Sequence, residues 1–311
     1  MKKILVIYYS QSGQLKQILD NICLPFEKNQ EISITWHKIK PVNDFPFPWK
    51  ADEFFNAMPE SVKGTPFEID STDLNTDENY DLIIFGYAVW YLSPSIPTTS
   101  FLKTEIAKKL FANKKVITVI ACRNMWTNAH KTVINLISES GGKTIGNVAL
   151  SDKTNNLVSV ITIYQWMVKG IKEKYMNIFP MPGVSDADIN KSIVFGKSIL
   201  KMMLGEISEQ NLQQDILKNN KESFSLSLAL IEKTAIRIFN IWANFILKKG
   251  DYNSTTRLTR VRIFKYYLFI VIFVVLPFAQ LFFSSILLLN PVLKRKLIKR
   301  FASPDFNYSQ T

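Results

Sequence analysis

Ile4-Leu5-Val6-Ile7-Tyr8-Tyr9-Ser10-Gln11-Ser12-Gly13-Gln14-Leu15 is the stretch that decides how the rest of the chain is read. Six consecutive apolar residues are what a strand buried on both faces of a parallel sheet requires. From 15 to 26 the apolar spacing becomes helical. Between the two lies a turn of hydroxyls and backbone N–H groups. At a helix N-terminus such a turn is an anion site, because the unpaired amides and the helix dipole both favour negative charge. Gly13 allows the backbone to come close to a bound group. Met1-Lys2-Lys3 ahead of the run imitates a signal peptide. The apolar core is shorter than the roughly 7–15 residues of an h-region and no small-residue cleavage site follows, so a first strand in a non-secreted protein is expected.

Outward from this stretch, strand and helix signals alternate. Strands are predicted at 31–40, 81–86, 116–121 and 144–150, with helices at 98–111, 128–140 and 186–204. Five strands with crossover helices predict an α/β fold, an open doubly wound five-stranded parallel sheet over residues 1–205. Ligands of such sheets bind beyond the carboxyl ends of the strands, at the switch point between the first and third. Gly142-Lys143-Thr144 looks like the end of a Walker A loop, but Ile137 stands where its first glycine belongs and a strand follows. No GxGxxG follows any strand. Cys23, Cys122, His37 and His130 show no metal-ligand spacing, so no metal is expected. Two insertions, 41–67 and 152–182, are rich in aromatic or aliphatic residues. They read either as walls of an apolar substrate pocket or as covers over the sheet.

The hexamer at 10–15 resembles the phosphate loop of the flavodoxin family, whose usual form is Ser/Thr-x-Thr-Gly-x-Thr; Leu15 replaces the last hydroxyl. The resemblance implies a flavodoxin-like fold and FMN as cofactor. Ser10, Gln11, Ser12, Gly13, Gln14 and Leu15 would surround the phosphate. Ala88, Val89, Trp90 and Tyr91, with Cys122, Arg123, Asn124, Met125 and Trp126, would flank the isoalloxazine, and Trp90 or Tyr91 would stack on it. The strings ILVIYYSQSGQL, FPFPW…DEFFNAMPESV and CRNMW, with an apolar C-terminal tail, resemble the flavodoxin-like bacterial dialkylresorcinol condensing enzyme family, associated with dialkylresorcinol and flexirubin biosynthesis. This implies an FMN-dependent oxidoreductase that converts an apolar dialkylcyclohexane-1,3-dione, left by a partner ketosynthase, into the aromatic resorcinol. The alternatives are an NAD(P)H-dependent quinone reductase or flavodoxin-type electron carrier, and a condensing enzyme with Cys122 as nucleophile. His130 is the first residue to consider as general base.

The net charge of +12 is unevenly placed. Residues 251–311 hold nine Lys and Arg against two Asp, so +7 falls in the last fifth. These charges flank 28 uncharged positions, 266–293, which points to a membrane surface rather than to nucleic acid. A membrane contact through 264–293 at the cytoplasmic face of the inner membrane is expected. Basic clusters at both ends and Pro277 near the middle fit a re-entrant hairpin; one tilted span is the other reading. Residues 206–250 read as a linker and an amphipathic helix over 226–247, lying in the bilayer interface or on the domain. The last segment, 251–311, is expected to be separable from the sheet.

Overall fold

The computed structural model describes residues 1–219 and 225–304. Its first two-thirds run β1 (Lys2–Tyr8), α1 (Gln14–Glu27), β2 (Ile32–Lys38), α2 (Ala51–Asn56), α3 (Met58–Lys63), β3 (Leu82–Trp90), α4 (Ile96–Leu102) and α5 (Glu105–Phe111). They continue with β4 (Lys115–Cys122), α6 (Thr127–Glu139), β5 (Lys143–Ser151), α7 (Asn156–Lys169), α8 (Asp186–Lys191) and α9 (Ile193–Met203). The five strands pair in parallel in the order β2-β1-β3-β4-β5. That order is flavodoxin-like, with the switch point between β1 and β3.

The central strands β1 and β3 are apolar on both faces, yet their residues still alternate between two cores. Leu5, Ile7, Ile83, Phe85 and Ile120 face α4, α5 and α6. Ile4, Val6, Leu82, Ile84 and Val119 face α1 and α9. Gly196 permits the second packing, because a Cβ there would lie 1.9 Å from the Ile22 carbonyl oxygen. Two helices predicted as single are broken. At 98–111 the chain stops after Leu102 and restarts at Glu105, where the Thr104 hydroxyl accepts from the Ala107 N–H at 3.0 Å. At 186–204 the break is Ser192, whose hydroxyl donates to the Ile189 carbonyl at 2.6 Å.

The remaining helices are α10 (Glu209–Asn219), α11 (Leu226–Leu247), α12 (Leu258–Ile270), α13 (Leu276–Leu289) and α14 (Pro291–Ala302). The stretch expected to be a linker contains α10, which covers the β5 edge. Leu212 and Ile216 enter the sheet core, and Gln213 Oε1 accepts from the Asn147 N–H at 2.7 Å while its Nε2 donates to the Asn147 carbonyl at 3.3 Å. A side-chain amide thus replaces the strand that an open edge would recruit.

The apolar run does not fold back at Pro277. A π-helical turn, Val271–Val275, joins α12 to α13, so one 35-residue helix runs from Thr255 to Leu289, long and apolar enough to cross a membrane. Proline removes one helical N–H and crowds the carbonyl four residues back, and the wider turn just before Pro277 absorbs both effects. The reversal comes instead at Asn290, whose side chain caps α14 by accepting from Leu293 N–H at 2.9 Å. Nor is the C-terminal segment detached. Arg257, expected among the cytoplasmic surface charges, is fully buried and pairs with Glu60 at 2.6 Å. Phe264 and Val261 share a core with Phe55 and Met58, and Phe301 packs on the sheet core.

Candidate functional site

A cavity of about 320 Å³ lies where the three predicted loops meet at the carboxyl ends of β1, β3 and β4. Ser10, Gln11, Ser12, Gln14 and Leu15 form one end, Ala88 to Leu92 and Ala121 to Met125 the sides. The far end is apolar. Phe47, Phe54 and Phe55 come from the first insertion, Val160, Ile163, Tyr164, Trp166 and Met167 from α7 in the second, and Phe239, Leu268, Phe269 and Ile272 from the C-terminal helices.

The phosphate-type turn keeps its donors available. Gly13 has φ +83, a conformation glycine adopts without strain, and no side chain caps α1. The first amides of an uncapped helix have no intrahelical partner. Ser10 Oγ accepts weakly from Lys16 N–H at 3.4 Å, and Ser12 is exposed. The other members serve the scaffold. Gln14 exchanges two hydrogen bonds with the Val184 backbone, each 3.0 Å, tying the turn to the 182–185 loop. Gln11 Nε2 donates to the Pro46 carbonyl and its Oε1 accepts from Trp49 Nε1, holding the first insertion over the turn. Leu15 is buried in the sheet core, which explains an apolar residue in place of the last hydroxyl.

The β3 loop is a tight hairpin. Val89 and Trp90 pair with Pro94 and Ser93, and Tyr91 and Leu92 turn the corner with φ of +49 and +62. Such values strain non-glycine residues and occur where the surroundings fix them. Here the Tyr91 hydroxyl donates to the Phe54 carbonyl at 2.8 Å, and Asn128 Nδ2 donates to the Leu92 carbonyl at 2.8 Å. The rings expected to stack on a ligand are engaged elsewhere. Trp90 makes edge contacts with Tyr9, Phe45 and Trp49, and Tyr91 lies against Phe54 at 4.9 Å. Both border the cavity, held in place by these neighbours.

The β4 loop divides. Cys122 to Met125 line the cavity, whereas Trp126 is buried against His130. His130 is fully buried; Nδ1 meets the Tyr87 hydroxyl at 3.0 Å and Nε2 the Pro304 carbonyl at 2.9 Å. It is not part of the cavity lining, so the residue expected as general base stands behind the wall of the site and not in it. Among the described residues the lining contains no His, Asp or Glu. Burial pushes the Cys122 thiol up, opposite to what a nucleophile needs. Arg123 is the cation of the site. Its guanidinium donates to the Asn156 side-chain oxygen at 2.7 Å and main-chain oxygen at 3.1 Å, and burial lowers its pKa to about 10. Beside it Asn124 Oδ1 is buried without a partner among the described residues.

One contributor gave no local signal. Glu232 of α11 is buried and accepts from Thr127 N–H, Asn128 N–H and the Thr127 hydroxyl at 3.2, 2.8 and 2.6 Å. It caps α6 from α11 and so fixes the far end of the 122–126 loop. Burial pushes its pKa up to about 7 against these donors.

No protein-family model matches the chain, and no curated protein sequence matches it. Among solved structures it is similar to a flavoprotein in complex with FMN from Lactobacillus acidophilus NCFM, with 24% identity, TM-score 0.35, and coverage of 48% of this chain and 93% of that one. It is also similar to oxidised flavodoxin 1 from Bacillus cereus, with 16% identity, TM-score 0.36, and coverage of 64% and 98%. A third is RosB with a bound flavin-derived intermediate, with 12% identity, TM-score 0.35, and coverage of 73% and 89%. The strand order and the position of the cavity place the fold independently of these likenesses.

Proposed function

We propose that the chain is an FMN-dependent oxidoreductase that aromatises an apolar dialkylcyclohexane-1,3-dione to a dialkylresorcinol at the cytoplasmic face of the inner membrane, next in sequence to a ketosynthase that supplies the dione. The observation that carries this reading is the composition of the cavity. A phosphate-type turn opens directly into an apolar chamber walled by both insertions and the C-terminal helices.

The residues fit FMN. The uncapped turn offers amides and the Ser12 hydroxyl to one phosphate, as a mononucleotide requires. Asn124 Oδ1 is an acceptor suited to an imide N–H. When bound, FMN supplies a two-electron acceptor for the pair of hydrogens lost between dione and resorcinol. The chain's own groups do the rest. A C–H between two carbonyls is acidic enough to be lost to bulk water before the dione enters, so the substrate arrives as its enolate and the site's need is for a cation beside that anion; Arg123 is that cation. The aliphatic and aromatic walls hold the alkyl chains and exclude water. A plain electron carrier has no use for such a chamber, and the raised Cys122 thiol does not support a condensing role.

Purified full-length protein is expected to be yellow, to release FMN and not FAD, and to convert a 2,5-dialkylcyclohexane-1,3-dione to the resorcinol under air. Ser12→Ala should weaken FMN binding by about 1–3 kcal/mol, the usual range for a hydrogen bond to a charged group. A colourless protein that FMN does not reconstitute would overturn the flavin reading. A yellow protein inert towards the dione would overturn the substrate.

A further inference from the structure

We infer that the long apolar helix lies in the plane of an anionic membrane, embedded in one leaflet without crossing it, and that the cavity opens toward the acyl chains through the seam between α7 and this helix. That a dialkyl substrate uses this entrance rests on the proposed function; the placement of the helix does not.

The start and middle of the helix, and the segment after it, are held on the same body. At its start Arg257 is buried against Glu60. At Leu276 it packs on Leu228 and Ile231 of α11. After Asn290 the chain returns, with Phe301 on the sheet core and the Pro304 carbonyl at 2.9 Å from His130 Nε2. A single crossing would put α14 on the opposite side of the bilayer from the sheet it touches. The helix also keeps contact with the protein beyond Leu276: Ala279 and Phe283 pack in the same cluster and Leu287 is buried.

The outer face is nevertheless built for lipid. Phe278 is 70% exposed, Leu281 68% and Leu288 81%, and Tyr266 and Ile270 of the same helix are exposed as well. Residues 252–304 hold nine Lys and Arg and no Asp or Glu. Arg260, Lys294, Arg295, Lys296 and Lys299 flank the apolar face at both ends, the charge complement of an acidic headgroup layer. The inner face of the same helix is cavity wall: Leu268, Phe269 and Ile272 line it, and α7 meets it through the Tyr164–Phe269 edge contact at 5.6 Å. Only half-buried side chains therefore separate the chamber from whatever covers the outer face.

The test uses full-length protein and probe depth, with no need for flavin or turnover. In a background lacking Cys23 and Cys122, single cysteines at positions 270, 278, 281 and 288 carry an environment-sensitive fluorophore. The protein is bound to phosphatidylglycerol–phosphatidylethanolamine vesicles containing nitroxide lipids labelled at different depths. Circular dichroism melts verify that each variant folds, and a second set on the parent with native cysteines covers any that does not. Equal, shallow depths at all four positions are expected, with binding lost in phosphatidylcholine vesicles at high salt. A depth gradient that peaks near 281 would mean a span and overturn the inference. Absence of quenching would overturn it too, and dimers in solution would then assign the face to a second copy. A probe at Tyr164→Cys should also be quenched; if it alone is silent, the entrance is elsewhere and that part of the inference fails.

Discussion

The sheet region and the C-terminal helical region are equally apolar in places but use that property in opposite ways. In the sheet, residues 4–7 and 82–85 are completely buried, and each apolar side chain meets one of two cores. In the 255–289 helix, Phe264 and Leu276 face protein while Phe278, Leu281 and Leu288 face outward. Complete burial identifies a core; an apolar helix with only one face buried leaves the other free for the membrane contact inferred above. The two regions are nonetheless joined, by the Arg257–Glu60 pair, the Glu232 cap and the shared cavity wall.

The joint can be broken first at Arg257. Arg257→Ala leaves Glu60 buried without its partner, which should cost about 3–5 kcal/mol. Denaturant unfolding in detergent should show the helical region loosening while the sheet stays protected from hydrogen exchange. The double replacement Arg257→Met with Glu60→Met should recover most of the loss, since an apolar pair can replace a buried ion pair. If the single variant unfolds in one unchanged transition, the two regions do not depend on this contact.

A second test sharpens the comparison through pH. Glu232 has a folded pKa of about 7 against an ordinary value of 4.5. Between these values the folded chain holds a proton that the unfolded chain has lost. Stability from this group is therefore full below about pH 4.5, falls as pH rises and is gone above 7, a change of about 3 kcal/mol. Glu232→Gln should flatten that part of the pH profile. A flat profile in the unsubstituted protein would mean that the α6 amides keep the carboxylate ionised and the joint insensitive to pH.

The smallest expected effect lies at the sheet edge. Gln213→Ala removes both bonds to the Asn147 backbone and should cost about 1–2 kcal/mol. Because an uncovered edge recruits strands, the variant should also self-associate more readily, which light scattering would detect. An effect confined to the membrane-bound state would instead link α10 to the helical region.

What was legible in the sequence was local. The 4–15 stretch specified a strand, a phosphate-type turn and a helix from contiguous residues, and the strands that follow repeat its pattern. The two insertions announced themselves by apolar composition where loops should be polar. The rest depended on contacts between residues far apart in the chain. Nothing near Trp90 says that Phe45 and Trp49 will pack edge-on with its ring. Nothing near Arg257 names Glu60, and a glutamate on the polar side of a helix projection gives no sign that the amides of α6 are waiting for it. Helical periodicity tells how residues divide around an axis, not what lies on either side. That is why α11 was read with one apolar face, when Phe239 packs inward and Ile241 outward.

The order in which these parts leave the ribosome gives the buried Arg257–Glu60 pair a further meaning. All five strands and α9 are complete by Met203. At roughly 5–20 residues per second, the 52 residues from Met203 to the helix start at Thr255 take about 3–10 s to follow. The sheet therefore has time to fold before the apolar helix exists, and the helix emerges beside a surface that already offers Glu60 as a partner for Arg257. Docking on the protein's own surface thus comes first, and the register of that first contact sets which face of the helix stays exposed.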